Sequence, residues 1–156
     1  MARWFTIAEA EQLLPYVEVR LREAQAVRHE LQAAEGNFQH HQRLVALSGG
    51  SLVNLNRVFA LRDQRKFALE RLKGVIERLH QIGCRLRDLD LGLIEFPTVY
   101  RDAEVLLCWR PEDGGIRYWY GPEDSYKGRR EIDEEFRAHH RGGAGGGPGA
   151  SGGTVR

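Results

Sequence analysis

The chain is poor in several of the things that usually announce a function. Only two cysteines, Cys84 and Cys108, occur in 156 residues. That excludes a disulfide scaffold and, with no export signal in view, predicts two reduced thiols in a cytoplasmic protein. No stretch approaches about 18 uncharged apolar residues, so no membrane span is expected. The opening MARWFTIAEAEQLLP has neither a long apolar region nor a small-residue cleavage site, and no signal peptide is expected. The formal net charge is +1, too small an excess of either sign for a dedicated nucleic-acid or membrane-surface binder. Cys-x-x-Cys and Walker-type loops are missing, so redox and nucleotide motifs find no support.

What is present reads as one domain over residues 1–141, followed by a Gly-rich segment, 142–156, expected to be disordered. Thr6 and Glu9 form a capping box, with Phe5 placed for a hydrophobic staple. Leu13, Leu14, Val17, Leu21, Ala24, Val27 and Leu31 then recur at helical steps. Pro15 lies inside this pattern, and Gly36-Asn37 is expected to end the helix. A connection follows over 36–51. A second stripe runs through Leu55, Val58, Arg62, Leu69, Leu72, Val75, Ile76, Leu79 and Ile82, with Gly83 suited to the left-handed position after a helix. Its length, about 30 residues, suggests coiled-coil-like pairing. Six Glu and three Arg lie between Thr6 and Glu35, against seven Lys or Arg and three acids between Leu52 and Gly83. Opposite charge excess predicts antiparallel pairing of the two helices.

Beyond Gly83 the period changes. LRDLDLGLIEFP alternates in its second half and is expected to end at Pro97. EVLLCWR and IRYWY flank PEDGG as a β-hairpin. If Arg110 opposes Ile116, one face carries Leu106, Cys108, Tyr118 and Tyr120. The other carries Val105, Leu107, Trp109, Arg117 and Trp119. The expectation is an α+β fold: a long antiparallel helical hairpin (6–83) packed with a small antiparallel sheet (84–120), then a C-terminal segment (121–141) in which EIDEEFRAHH forms a short helix. Two apolar hairpin faces exceed what the helices can cover. A homodimer is therefore expected, its partner covering Trp109 and Trp119 or the stripe at Val75 and Ile82.

In this order the motifs WFTIAEAEQLLP, LRDLDLGLIEFP, EVLLCWR, and IRYWY with KGRR after it resemble those of the bacterial and archaeal DUF2203 family, across about residues 3–132. The family pattern has Asp-Thr-Gly-Leu-Val-Asp-Phe-Pro in the second motif, a histidine at the end of the last strand and Gly-Phe-Ala before Gly-Arg. Here Leu91 replaces the threonine, Tyr120 the histidine, and Tyr126-Lys127 the Phe-Ala. If that histidine binds a metal or moves a proton in relatives, the change removes the activity here. The resemblance implies a helical hairpin with a small β unit and supplies no activity.

The candidate binding residues are Asp90, Glu95, Trp109, Arg110, Tyr118, Trp119, Tyr120 and Arg129. Planar arginine donors beside aromatic faces are typical of interfaces and of anion-binding pockets, so the favoured reading is a non-catalytic binding or scaffold protein. Its ligand would be a protein partner or a small anion, with no cofactor. The bland counterpart is a compact hairpin core, with Arg117 stacked across Trp109. The competing functional reading is an enzyme or metal protein centred on Asp88, Asp90, Glu95 and Arg129, since nearby carboxylates can do acid–base work or hold a hard cation. Against it, Asp88 and Asp90 suit turns and charge pairs. Arg129 is expected to pair with a carboxylate, either an internal one such as Asp90 or Glu95 or one on a ligand. His40-His41 and His139-His140 lack metal-ligand spacing and read as solvated loop residues. Cys108 reads as a small buried hydrophobe. The second helix carries bases with Phe59 and Phe67. Its Glu70 and Glu77 follow Lys66 and Lys73 by four residues, so it reads as a solvated face rather than a nucleic-acid surface.

Overall fold

A computed structural model describes residues 3–51, 53–141 and 143–144. Strand β1 (Arg3–Trp4) leads into helix α1 (Ile7–Leu47), and helix α2 spans Leu55–Gln81. The remainder is β2 (Arg85–Asp88), β3 (Leu93–Tyr100), β4 (Ala103–Trp109), β5 (Tyr118–Tyr120), β6 (Arg130–Glu131), α3 (Glu134–His139), β7 (His140–Arg141) and β8 (Gly143–Ala144). The chain divides into two compact units, one of residues 20–78 and one of residues 1–19 with 79–156.

The first of these units is a helical hairpin. Leu21, Ala24, Val27, Leu31 and Ala34 of α1 are buried, as are Leu61, Ala68 and Val75 of α2. The α2 seam repeats every seven residues, the period of coiled-coil packing. It is not the stripe expected from the sequence, because Leu55 and Leu69 stand exposed. Ion pairs join Glu23 to Arg78 (3.9 Å), Glu30 to Arg71 (2.6 Å) and Glu35 to Arg65 (3.6 Å). Partner numbers rise along α1 as they fall along α2, so the helices run antiparallel, as the charge asymmetry predicts. Each pair is about half exposed and worth only about 0–1 kcal/mol, so the pairs report register more than stability.

Helix α1 does not stop at Gly36-Asn37. Gly36 lacks a left-handed backbone and faces open space. A single exposed glycine costs a helix only about 1 kcal/mol, which the flanking turns outweigh. The connection is correspondingly shorter, and His40 and His41 lie within the helix rather than in a loop.

The other unit is built around an antiparallel sheet ordered β2-β3-β4-β5-β6, with β7 also pairing with β3. The hairpin register is the expected one: Leu106 opposes Tyr120, Leu107 opposes Trp119 and Cys108 opposes Tyr118. Strand β3 continues through Pro97, which opposes Leu106. The Pro97 carbonyl turns away from β4 and accepts the Phe5 N–H at 2.7 Å, so the missing proline N–H costs no bond to β4. On that outer side β2 pairs only with residues 93–95 and β7 only with 99–100. Proline thus sits where the edge of β3 has no strand partner. The β3–β4 turn is made by Arg101 and Asp102, both with positive φ (48° and 63°), the twist a two-residue hairpin requires.

At the start of α1 the Thr6 half of the expected capping box is present, with Glu9 N–H donating to Thr6 Oγ1 at 3.2 Å. Asp133 caps α3 through the Phe136 N–H at 2.8 Å. Gly83 has φ +98°, and a Cβ there would lie 3.0 Å from the Arg3 Cβ, so a side chain is excluded by conformation and by space. Of the Gly-rich segment expected to be disordered, Gly143–Ala144 pair with β1. Gly142 and residues 145–156 lie outside the described residues. No helix among the described residues is long and apolar enough to cross a membrane.

Candidate functional site

Sheet parity sorts the candidate residues. Glu95, Cys108 and Tyr118 oppose one another across β3, β4 and β5, so their side chains share one face, and Tyr120 lies two residues along it. Trp109 and Trp119 belong to the other face.

On the first face the Tyr120 hydroxyl donates a short hydrogen bond to Glu95 Oε1. Both residues are buried, at 1% and 2% exposure. Tyr120 packs with Leu93, Leu106 and Cys108. Burial raises its pKa well above the usual phenol value, and the Glu95 hydrogen bond and charge push it further the same way. Arg87 of β2 approaches the same carboxylate oxygen at 3.7 Å. Tyr120, read from the sequence as the replacement for a family histidine, is therefore a committed partner of the Glu95 carboxylate.

Further along this face lies a stack of arginine and tyrosine. The Arg129 guanidinium sits 4.1 Å from the Tyr118 ring centre and 4.4 Å from that of Tyr126. Its Nη1 is buried without a hydrogen-bond partner among the described residues, and Asp113 stands 3.6 Å away. Arg110 donates to the Tyr126 hydroxyl (2.8 Å) and to the Leu91 carbonyl (3.1 Å), and pairs with Glu112 (3.1 Å). Arg110 and Arg129 keep 25% and 27% of their side chains in solvent. The partner of Arg129 is thus Asp113, not Asp90 or Glu95. The PEDGG turn folds as a short helical turn, and Asp113 Oδ2 accepts the Arg110 N–H at 3.0 Å, which brings the Asp113 carboxylate to the sheet.

On the second face Trp109 is core at 2% exposure, so it offers a partner nothing. The same holds for Val75 in the helical unit. Both were expected dimer contacts. Arg117 does not stack on Trp109; it is exposed. Trp119 is half-buried against Tyr100 (5.3 Å between ring centres) and Phe136 (5.0 Å), with Arg130 over it at 5.1 Å.

The carboxylates proposed as an acid–base or metal centre do not assemble. Asp88 Oδ1 accepts the Leu91 N–H at 2.9 Å, a turn role. Asp90 is exposed, whereas Glu95 is buried with Tyr120. Among the described residues no group of three or more His, Cys, Asp or Glu is placed to hold a metal ion. Burial pushes both thiols, Cys84 and Cys108, up to about 12. At neutral pH they are inert neutral groups.

Two residues take partners that the sequence reading did not give them. Arg87 gives the buried carboxylate a charged neighbour at 3.7 Å, from a point on β2 where the register with β3 shifts. His140, expected to be a solvated loop residue, accepts the Ile7 N–H on Nε2 at 3.2 Å while its ring stacks on Phe136 at 5.6 Å. No local signal in the sequence marks it.

Residues 3–132 match the family described as "Uncharacterized conserved protein (DUF2203)". The chain belongs to the DUF2203 family. No curated protein and no solved structure matches it. The matched segment contains every candidate described above except His140, so the Glu95–Tyr120 pair and the arginine–tyrosine stack both lie within the DUF2203 domain.

Proposed function

We propose that this DUF2203 protein is a non-catalytic binding protein of the cytoplasm that engages a carboxylate-bearing protein partner through Arg129, Tyr118, Tyr126 and Arg110. One observation carries the reading: the Arg129 guanidinium is held between two tyrosine rings, yet its ion pair to Asp113 is beyond hydrogen-bond distance. A planar fork fixed by stacking has little entropy to lose when it meets a carboxylate. The remaining candidates favour binding over catalysis, because Glu95 and Asp88 are engaged internally and both thiols are buried. The test is Arg129→Ala and Arg129→Lys in affinity capture with acidic peptides. Both should keep the wild-type melting temperature within a few degrees and lose binding, Lys because it lacks the bidentate fork. Wild-type capture by Arg129→Ala sinks the reading.

The same proposal includes a homodimer, through a different surface from the one the sequence suggested. Leu55, Phe59 and Leu69 of α2 are exposed at 63%, 54% and 44%. With Arg62 and Lys66 between them they fall at three- and four-residue steps, forming a second stripe beside the buried seam. Light scattering should give twice the 17.8 kDa chain mass. Phe59→Lys should return it to one chain.

A further inference from the structure

A cleft of about 470 Å³ opens beside the outer edge of β3 and is independent of the arginine–tyrosine stack. Its lining is dominated by donors. Arg85 and Arg87 of β2 project into it, more than half exposed. Arg3 and Trp4 of β1 and His80 near the end of α2 line the cleft beside them.

Two carboxylates also line it, Glu95 and Glu104, and each is already claimed. Glu95 takes the Tyr120 hydroxyl and faces Arg87, and Glu104 faces Arg85 at 3.7 Å. Both arginine pairs are longer than a hydrogen bond, so the forks of Arg85 and Arg87 keep donors that no described carboxylate satisfies. The Trp4 Nε1–H is buried and lacks an acceptor among the described residues. Arg3 spends Nη1 on the Ile82 carbonyl (3.3 Å) and lays its guanidinium over the Phe5 ring (4.4 Å), which fixes it in place. Donors therefore exceed free acceptors along this lining, which suits a ligand rich in acceptor oxygens.

Size and chemistry narrow the class. A cleft of this volume suits a metabolite rather than a single inorganic ion. Arg85 and Arg87 flank the point where the β2–β3 register begins to shift and both line the cleft, so two separate forks are available to an anionic ligand. Planar forks favour bidentate carboxylate or phosphate oxygens. We propose that this cleft binds a small metabolite bearing at least two oxyanion groups, held by Arg85 and Arg87 with Arg3 at the rim. Binding there draws Arg87 from Glu95 toward the ligand, so the cleft and the buried Glu95–Tyr120 pair are coupled.

The test is a tryptophan-fluorescence titration of the full chain with citrate and, separately, pyrophosphate, at ionic strength held constant with NaCl. A saturable change is expected with at least one of them, with half-saturation at about 1 mM or below. The stronger of the two separates polycarboxylate from polyphosphate. Trp4→Phe should remove most of the signal, and Arg85→Ala/Arg87→Ala should weaken binding at least about tenfold, the order of one lost charge-assisted contact. Both arginines are exposed enough for the double variant to fold. If circular dichroism shows otherwise, Arg85→Gln alone carries the comparison. The proposal is overturned if neither compound gives a saturable change, if NaCl alone reproduces it, or if the arginine variant binds like wild type.

Discussion

The phenol of Tyr120 and the carboxylate of Glu95 meet across an intervening strand: one belongs to β5, the other to β3, and β4 runs between them. Such a bond inside an apolar cluster is costly to break from one side only. Tyr120→Phe leaves a buried carboxylate with one charged neighbour at 3.7 Å, and Glu95→Leu leaves a buried hydroxyl unpaired. Each single variant should lose about 1–3 kcal/mol of stability. The double variant should lose less than the two singles together, because no orphaned polar group remains. Urea denaturation of the four proteins measures the coupling. Strict additivity would mean that the bond contributes nothing specific.

Alkaline titration should show the same environment. The folded pKa of Tyr120 lies above its unfolded value, and those of Cys84 and Cys108 rise from 9.0 to about 12. Between the unfolded and folded values the native state holds more protons. Stability is therefore fully present below about pH 9 and falls progressively as pH rises from there. Phenolate absorbance should reveal one of the five tyrosines silent until the protein unfolds. Both thiols should resist alkylation at pH 8 in the native protein and react at once in denaturant.

A third expectation concerns His140. One ring tautomer serves all its contacts, with Nδ1–H facing the Arg137 carbonyl at 2.8 Å and Nε2 accepting from the first turn of α1. His140→Ala removes an acceptor and a stacked ring and should cost about 1–2 kcal/mol. His140→Phe keeps the ring alone and should recover part of that loss. Thermal melts at neutral pH would show it, and equal melting of all three proteins would mean the contact is incidental.

Much of the fold was legible because its signals are local. Thr6 and Glu9 mark a helix start within four residues, and the composition of PEDGG fixes the register that sets Leu106 against Tyr120. The opposed charges of Glu30 and Arg71 could be read as antiparallel pairing without knowing which residues meet. The site was legible only as a list. Arg129 finds Asp113 because a short helical turn swings that carboxylate toward the sheet, and no spacing in the sequence encodes the swing. Glu95 reaches Tyr120 only because β4 fills the space between them. Pro97 looked like a terminator because proline lacks an N–H, and no local signal shows that it falls in the gap between β2 and β7 on the edge of β3.

The division of the chain also bears on how it must fold. The sheet unit draws on residues before Arg20 and after Arg78, so its segments are separated in sequence by the whole helical hairpin. Closing a loop of that length carries an entropic cost that short-range contacts do not. Zipping the hairpin first brings Glu23 to within 3.9 Å of Arg78 and shortens the effective tether to a few residues. Contacts of low sequence separation form fastest. The Leu61, Ala68 and Val75 seam is therefore expected to form early on the folding route, and the hydrogen bond from Phe5 N–H to the Pro97 carbonyl late. Substitutions in the seam should slow folding, and substitutions around Pro97 should chiefly hasten unfolding.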